Sequence, residues 1–263
     1  MHLGLEHKVV IITGGAKGIG EAITRGFAAE GAVPCIFGRN REESAQLVFE
    51  LNAKGQRAES YHCELTDEPA VRAAVAAVLS AHGRIDCVVN NAGVNDGVGL
   101  RSPVADFRAS LERNIVQCFV LVQASLDALI ASRGTIVNIG TKCSLTGQGG
   151  TSGYVAAKGA MNGLTREWAV DLAQHGIRVN CILPAEVMTP MYERWISTRP
   201  DPAAAIAAIS ATIPLEHRMT TAEEIANTAV FVASPRSSHT TGQILIVDGG
   251  YVHLDRAYTS KRG

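Results

Sequence analysis

Val9-Val10-Ile11-Ile12-Thr13-Gly14-Gly15-Ala16-Lys17-Gly18-Ile19-Gly20 decides the reading of this chain. Four β-branched apolar residues that run straight into glycines make a short strand buried on both faces. Ile19 to Glu30 then reads as a helix, and Gly31 is placed to stop it. A strand that turns through glycines into a helix brings bare backbone close to a pyrophosphate. The helix N-terminus offers that group N–H donors and partial positive charge. The spacing is G-x3-G-x-G, not the G-x-G-x-x-G of the standard dinucleotide fingerprint. A plain turn is the other reading of such a cluster, and the strand–loop–helix context favours the phosphate site.

Outward from this loop, strands and helices alternate. Strands are expected at Val33 to Phe37, Ala58 to Cys63, Ile85 to Val89, Thr135 to Ile139, Ile177 to Ile182 and Ile244 to Val247. Helices are expected at Glu42 to Lys54, Asp67 to His82, Phe107 to Ile130, Ser152 to Gln174 and Ala222 to Ala233. Seven short, apolar strands separated by helices predict an α/β fold: a doubly wound parallel sheet between two helical layers. No linker or repeat divides residues 1–263, so one domain is expected, its first half about 7–140 and its second about 141–252. Residues 187–214 break the rhythm with Pro190, Pro200, Pro202 and Pro214. They read as an irregular lid.

Bulk properties narrow the function. Apolar residues make up 46% of the 263, enough for a large core, and the net charge is −1. Nothing in that balance points to nucleic acid or an anionic membrane. Cys35, Cys63, Cys87, Cys118, Cys143 and Cys181 form no CxxC pair. Buried free thiols in a reducing compartment are favoured over a metal site. The first strand begins too early for a signal peptide, and no apolar run approaches the ~20 residues of a membrane span. A cytoplasmic location is expected.

Tyr154-Val155-Ala156-Ala157-Lys158 carries the chemistry. Residues four apart on a helix share a face, so a phenol and an ammonium meet. The cation is expected to lower the phenol's pKa from ~10 and fit it for proton exchange. The second strand ends in Gly38 and Arg39, where an acidic residue would hold the ribose of NAD. Arg39 and Lys17 suit a 2′-phosphate instead, which favours NADP with NAD as the alternative. Solvated loop charges are the other reading of that pair.

These pieces, with Asn90-Asn91-Ala92-Gly93, Asn114 and Val247-Asp248-Gly249-Gly250, resemble the short-chain dehydrogenases/reductases over about residues 7 to 252. The resemblance implies a Rossmann-like fold and hydride transfer between a nicotinamide and an alcohol or carbonyl. It makes Tyr154 the acid/base, and Lys158 the holder of the nicotinamide ribose. Asn114 would position a water linking Lys158 to solvent, or only bond to helix backbone. It places Gly14, Lys17, Gly18, Ile19 and Gly20 on the cofactor, with Asn91, Ala92 and Gly93 on its adenosine side. Pro184, Val187 and Thr189 match the stretch that meets the carboxamide. The family usually has a serine thirteen residues before the tyrosine; Thr141 stands there, and Ser144 is the fallback. Glu64-Leu65 replaces an aspartate–apolar pair near the adenine, and Ala185 replaces a glycine. Family members commonly form tetramers through the two long helices and the last strand.

The substrate side is polar and aromatic: Asn95, Gln148, Glu186, Tyr192 and Trp195. A hydroxyl-rich ligand needs such partners, because an unmatched buried polar group costs about 1–3 kcal/mol. The runs Thr146 to Tyr154 and Pro184 to Tyr192, with Arg166-Glu167-Trp168-Ala169, resemble the bacterial branch of this family that oxidises C1 of L-fucose and related aldoses. The rivals are a 3-oxoacyl-thioester reductase and a non-catalytic NADPH sensor.

Overall fold

The computed structural model describes residues 2–254. The strands are β1 (Val9–Thr13), β2 (Val33–Gly38), β3 (Glu59–His62), β4 (Cys87–Asn90), β5 (Thr135–Ile139), β6 (Arg178–Pro184) and β7 (Ile244–Val247). They pair in parallel throughout, in the order β3-β2-β1-β4-β5-β6-β7. The winding reverses between β1, which pairs with β2, and β4. A doubly wound sheet opens its ligand crevice at the carboxyl ends beside such a reversal.

Alternation along the strands divides the core into two layers. Val9 and Ile11 face α3 (Glu68–His82), α5 (Gln117–Ser132) and α7 (Ser152–Asp171), packing with Val71, Leu121 and Trp168. Val10 and Ile12 face α1 (Gly18–Ala29) and α10 (Ala222–Ala233), packing with Ile23, Phe27, Ile225 and Ala229. Each such side chain, fully buried, contributes roughly 1.5–3 kcal/mol. α2 (Arg41–Ala53) covers Ile36 with Leu47 and Leu51. Arg178 fastens β6 to the end of α10: Nη1 donates to Val232 O at 2.6 Å, and Nη2 to Ala233 O and Ser234 O at 3.1 Å. The last carbonyls of a helix have no partner within it, and a cation there also suits the helix dipole.

Three expectations change. The long helix is α4 (Val104–Leu111), a π-helical turn over Glu112–Val116, and α5 in continuous succession. The whole stretch, Val104–Ser132, is long and apolar enough to cross a bilayer, contrary to the sequence reading. Its inner face is nonetheless committed to the core, with Leu121, Ser125 and Leu129 fully buried. The lid is not irregular either. It holds α8 (Pro190–Ile196) and α9 (Pro202–Ala211), each beginning at a proline. Proline fits a first helical position, where no N–H is needed. Thr189 and Asp201 cap these helices through Tyr192 N and Ala204 N. A four-residue helix, α6 (Cys143–Thr146), follows β5.

Candidate active site

The glycine loop leaves β1 at the reversal and enters α1. Side chains of Asn40, Asp67, Thr189, Asp201 and Thr221 cap α2, α3, α8, α9 and α10, whereas α1 begins without a side-chain cap. The first N–H groups of a helix have no partner within it, and uncapped they suit an anion. A Cβ on Gly20 would strike Gly14 O and lie 2.6 Å from Asn91 Nδ2, so only glycine fits. A Cβ on Gly93 would lie 3.0 Å from Asn114 Oδ1 and 3.3 Å from Lys158 Nζ. Bare backbone and an uncapped helix at a sheet reversal fit a dinucleotide.

Neighbouring segments hold this cradle. Asn91 Nδ2 donates to Thr13 O at 2.9 Å and to Gly14 O at 3.3 Å, while Thr13 Oγ1 accepts from Asn91 N and Ala92 N. Ile19, in the first turn of α1, packs against the core beside β1, and Leu65 packs against the opposite layer. Val187 is buried and bridges to Thr220, and Thr189 meets the loop at Gly18. At the rim, Lys17 pairs with Glu43 at 2.9 Å and Arg39 with Glu64 at 3.5 Å. Both cations stand beside the end of β2 and are tied to carboxylates.

The acid–base group lies between β5 and α7. Lys158 is buried, and its ammonium donates to Ile139 O at 2.8 Å. Burial lowers its pKa. The ammonium lies 6.0 Å from the centroid of the Tyr154 ring. Here the expectation of a lowered tyrosine is overturned. Burial pushes the Tyr154 phenol up to about 12, Cys143 adds to that, and a hydrogen bond with Thr141 acts the other way. The ammonium is committed to Ile139 and does not offset desolvation of the phenolate. Thr141 is buried beside the phenol, whereas Ser144 is turned away: it donates to Thr141 O at 2.7 Å and accepts from Asn162 Nδ2 at 2.9 Å. Asn114 sits in the π-turn, where Nδ2 donates to Ser110 O and Oδ1 accepts from Val94 N at 2.7 Å.

A ladder of amides steadies the floor. Asn90 Nδ2 donates to Asn138 Oδ1 at 2.8 Å, and Asn138 Nδ2 donates to Thr165 Oγ1 at 2.9 Å. It ties the ends of β4 and β5 to α7, which carries Tyr154 and Lys158.

The expected substrate residues divide. Glu186 forms an ion pair with Lys142. Tyr192 meets Trp195 edge-on at 5.0 Å, and Trp195 also carries the Arg199 guanidinium at 4.4 Å. Gln148 is exposed; it accepts from Cys143 Sγ at 2.8 Å and donates to Thr151 Oγ1 at 3.0 Å. Asn95 is exposed on the loop after β4. Sequence reasoning missed Lys142 and Tyr251, whose ring lies 3.7 Å from the Lys142 ammonium. Their signals were adjacency to Thr141 and to Asp248-Gly249-Gly250. Away from the crevice, Cys35, Glu59 and His82 bring metal-type donors within 4.8 Å of one another. There Glu59 already accepts from Tyr61 and pairs with His82.

A family profile described as Enoyl-(Acyl carrier protein) reductase matches residues 14–252. L-fucose dehydrogenase of Bos taurus is 37% identical over 245 residues, covering 92% of this chain and 88% of that protein. The 3-oxoacyl-[acyl-carrier-protein] reductase FabG of Thermotoga maritima is 36% identical over 250 residues, covering 94% and 99%. The crystal structure of Cj0485 dehydrogenase matches with a TM-score of 0.92 at 46% identity, covering 98% of each chain.

Proposed function

This chain belongs to the short-chain dehydrogenase/reductase family, and we propose that it oxidises the C1 hydroxyl of L-fucose or a related aldose to the lactone, with NADP preferred over NAD. The observation that carries the sugar reading is the polar wall beside the acid–base group. Lys142 N donates to Pro184 O at 2.9 Å, so the loop bearing Thr141 is laced to the loop bearing Glu186. A paired carboxylate and ammonium thus stand beside Thr141, polar neighbours that a steroid or an acyl chain would not match.

A bound nicotinamide dinucleotide supplies the hydride acceptor. It would be held by the glycine loop, by Asn91, Ala92 and Gly93, by Pro184, Val187 and Thr189, and by Lys158 at the ribose. Tyr154 takes the proton of the C1 hydroxyl at its phenolic oxygen, and Thr141 holds the same substrate oxygen by its hydroxyl. Asn114 keeps the π-turn and the loop after β4 in register with Lys158. Glu186, Gln148 and Asn95 bind ring hydroxyls, and Tyr192 and Trp195 cover a C–H face. Arg39 and Lys17 turn to a 2′-phosphate.

The likeness to FabG favours a second reading, reduction of a 3-oxoacyl thioester. Docking an acidic carrier needs a basic patch, yet Arg194 and Arg199 in the lid are accompanied by Glu193 and Asp201. We further propose a cytoplasmic homotetramer that binds neither nucleic acid nor membrane. The exposed Val116 and Phe119 of the long helix and Val170 of α7 support association, and six free, buried cysteines suit a reducing compartment.

Turnover with NADP and with NAD against a panel of aldoses, followed by nicotinamide absorbance, tests the proposal. Reduction with L-fucose and its configurational relatives is expected. Silence on every aldose, with NADPH consumed on a 3-oxoacyl thioester, would transfer the chain to the second reading.

A further inference from the structure

Lys142 is 9% exposed and directly follows Thr141. Its ammonium pairs with Glu186 and lies over the Tyr251 ring. The Asp248 carboxylate fixes that ring's turn, accepting from Gly250 N and Val252 N at 2.8 Å. Glu186 is fixed from behind, its carbonyl accepting from Thr220 N at 3.0 Å. The Tyr192 hydroxyl is buried against the Glu186 carboxylate, and no described residue closes an ordinary hydrogen bond to it. Four segments therefore enclose one ion pair next to the acid–base group.

The pair is under-used by the chain itself. An ammonium has three donors, and a carboxylate about four acceptor sites. Among the described residues, Lys142 Nζ donates only to Glu186, and the Glu186 carboxylate meets Lys142 and Tyr192, with the Cys143 thiol in its field. A buried ion pair offsets its desolvation when further hydrogen bonds engage the remaining donors and acceptors.

We propose that Lys142 and Glu186 form a clamp for a neutral vicinal diol: Glu186 accepts from one hydroxyl while Lys142 donates to the neighbouring oxygen, and the Tyr251 and Tyr192 rings wall the clamp. The clamp rests on the sugar reading above and makes Lys142 a specificity-determining residue. Charge follows from the pairing. The two groups already neutralise each other, so a neutral polyol adds bonds without breaking the pair. An anionic sugar phosphate would draw Lys142 off and leave Glu186 buried and uncompensated.

The test is steady-state kinetics of the wild-type enzyme, Lys142→Met, Glu186→Gln and the double variant, on the best aldose and its monodeoxy series. Lys142→Met is expected to raise KM more than it lowers kcat and to reduce kcat/KM about tenfold to a hundredfold, the range for a hydrogen bond to a charged group. One deoxygenated position should lose the same factor with the wild-type enzyme and little more with Lys142→Met, as coupled partners do. Other positions should lose equally with both enzymes. Nicotinamide fluorescence on cofactor binding checks that each variant is folded. If Lys142→Met does not fold, Glu186→Gln, which keeps the side chain's shape, reads the same coupling from the other partner. Uniform loss across the deoxy series, or none, overturns the clamp while leaving the sugar reading intact. A wild-type enzyme inert toward every aldose overturns both.

Discussion

Lys158 donates to the carbonyl of Ile139 and stands 6.0 Å from the centre of the Tyr154 ring. The two residues share a helix face, yet the end of β5 fixes the lysine. Their substitutions should therefore separate. Tyr154→Phe is expected to lower kcat about 10²- to 10⁴-fold and leave cofactor affinity near the wild-type value. Lys158→Met should weaken dinucleotide binding as well as turnover. Equal loss of cofactor affinity in both variants, measured by titration, would count against this division of roles.

Thr141 is the group that pulls the Tyr154 pKa down against burial. A raised pKa favours the neutral phenol, so the proton-accepting form grows as pH rises. Oxidation should climb on the alkaline side. Thr141→Val removes the hydroxyl's bond, raises the phenol further and should move that limb to higher pH with a lower plateau. Thr141→Ser should restore the profile. The check is kcat/KM against pH for the three enzymes; a limb that stays in place in Thr141→Val would exclude the coupling.

Lys17 and Arg39 are held by Glu43 and Glu64 at the rim. A 2′-phosphate must compete with these carboxylates. Arg39→Ala should lower the NADP/NAD ratio of kcat/KM about tenfold, which corresponds to ~1.4 kcal/mol. Glu64→Gln should raise it. A ratio indifferent to both substitutions would leave the two cations as surface charges.

Asp86 stabilises the far end of the sheet. It accepts from Val9 N at 3.0 Å, Lys8 Nζ at 3.1 Å and Arg84 Nε at 2.7 Å. Burial alone would raise its pKa, but the Arg84, Val9 and Lys8 bonds outweigh it and hold the carboxyl below its ordinary value. A depressed carboxylate contributes stability above the unfolded pKa, and that contribution is lost as pH falls below ~3.9. Asp86→Asn should cost about 1–3 kcal/mol near neutrality and flatten the acid side of the Tm–pH curve. A parallel curve with an unchanged acid slope would contradict this.

The sheet was legible because its strands are apolar runs bounded by glycine and polar residues. Thr135–Ile139 and Ile244–Val247 agree with the sequence at both ends. The π-turn was not legible: one extra residue in a helix leaves the hydrophobic pattern of Phe107 to Ile130 nearly unchanged. The lid helices were hidden because Pro190 and Pro202 read as breakers, although the capping residues Thr189 and Asp201 preceded them. Tyr154 and Lys158 stood out by their spacing of four, and Thr141 only through the family resemblance. The final direction of the Tyr154 pKa was not, since desolvation depends on what encloses the ring. Lys142 escaped notice because its partners, Glu186 and Tyr251, come from distant segments.

The six buried thiols turn the molecule into a recorder of its own opening. Burial pushes Cys35 and Cys181 up to about 12 and Cys63 and Cys118 up to about 11, so almost no thiolate exists near neutrality. A small alkylating reagent can mark these positions only while the surrounding element is transiently exposed. Labelling rates at Cys35 on β2, Cys118 on α5 and Cys181 on β6 then become separate clocks for three parts of one sheet-and-helix assembly. Cys143, bonded to the exposed Gln148, times the breathing of the short helix beside the acid–base group.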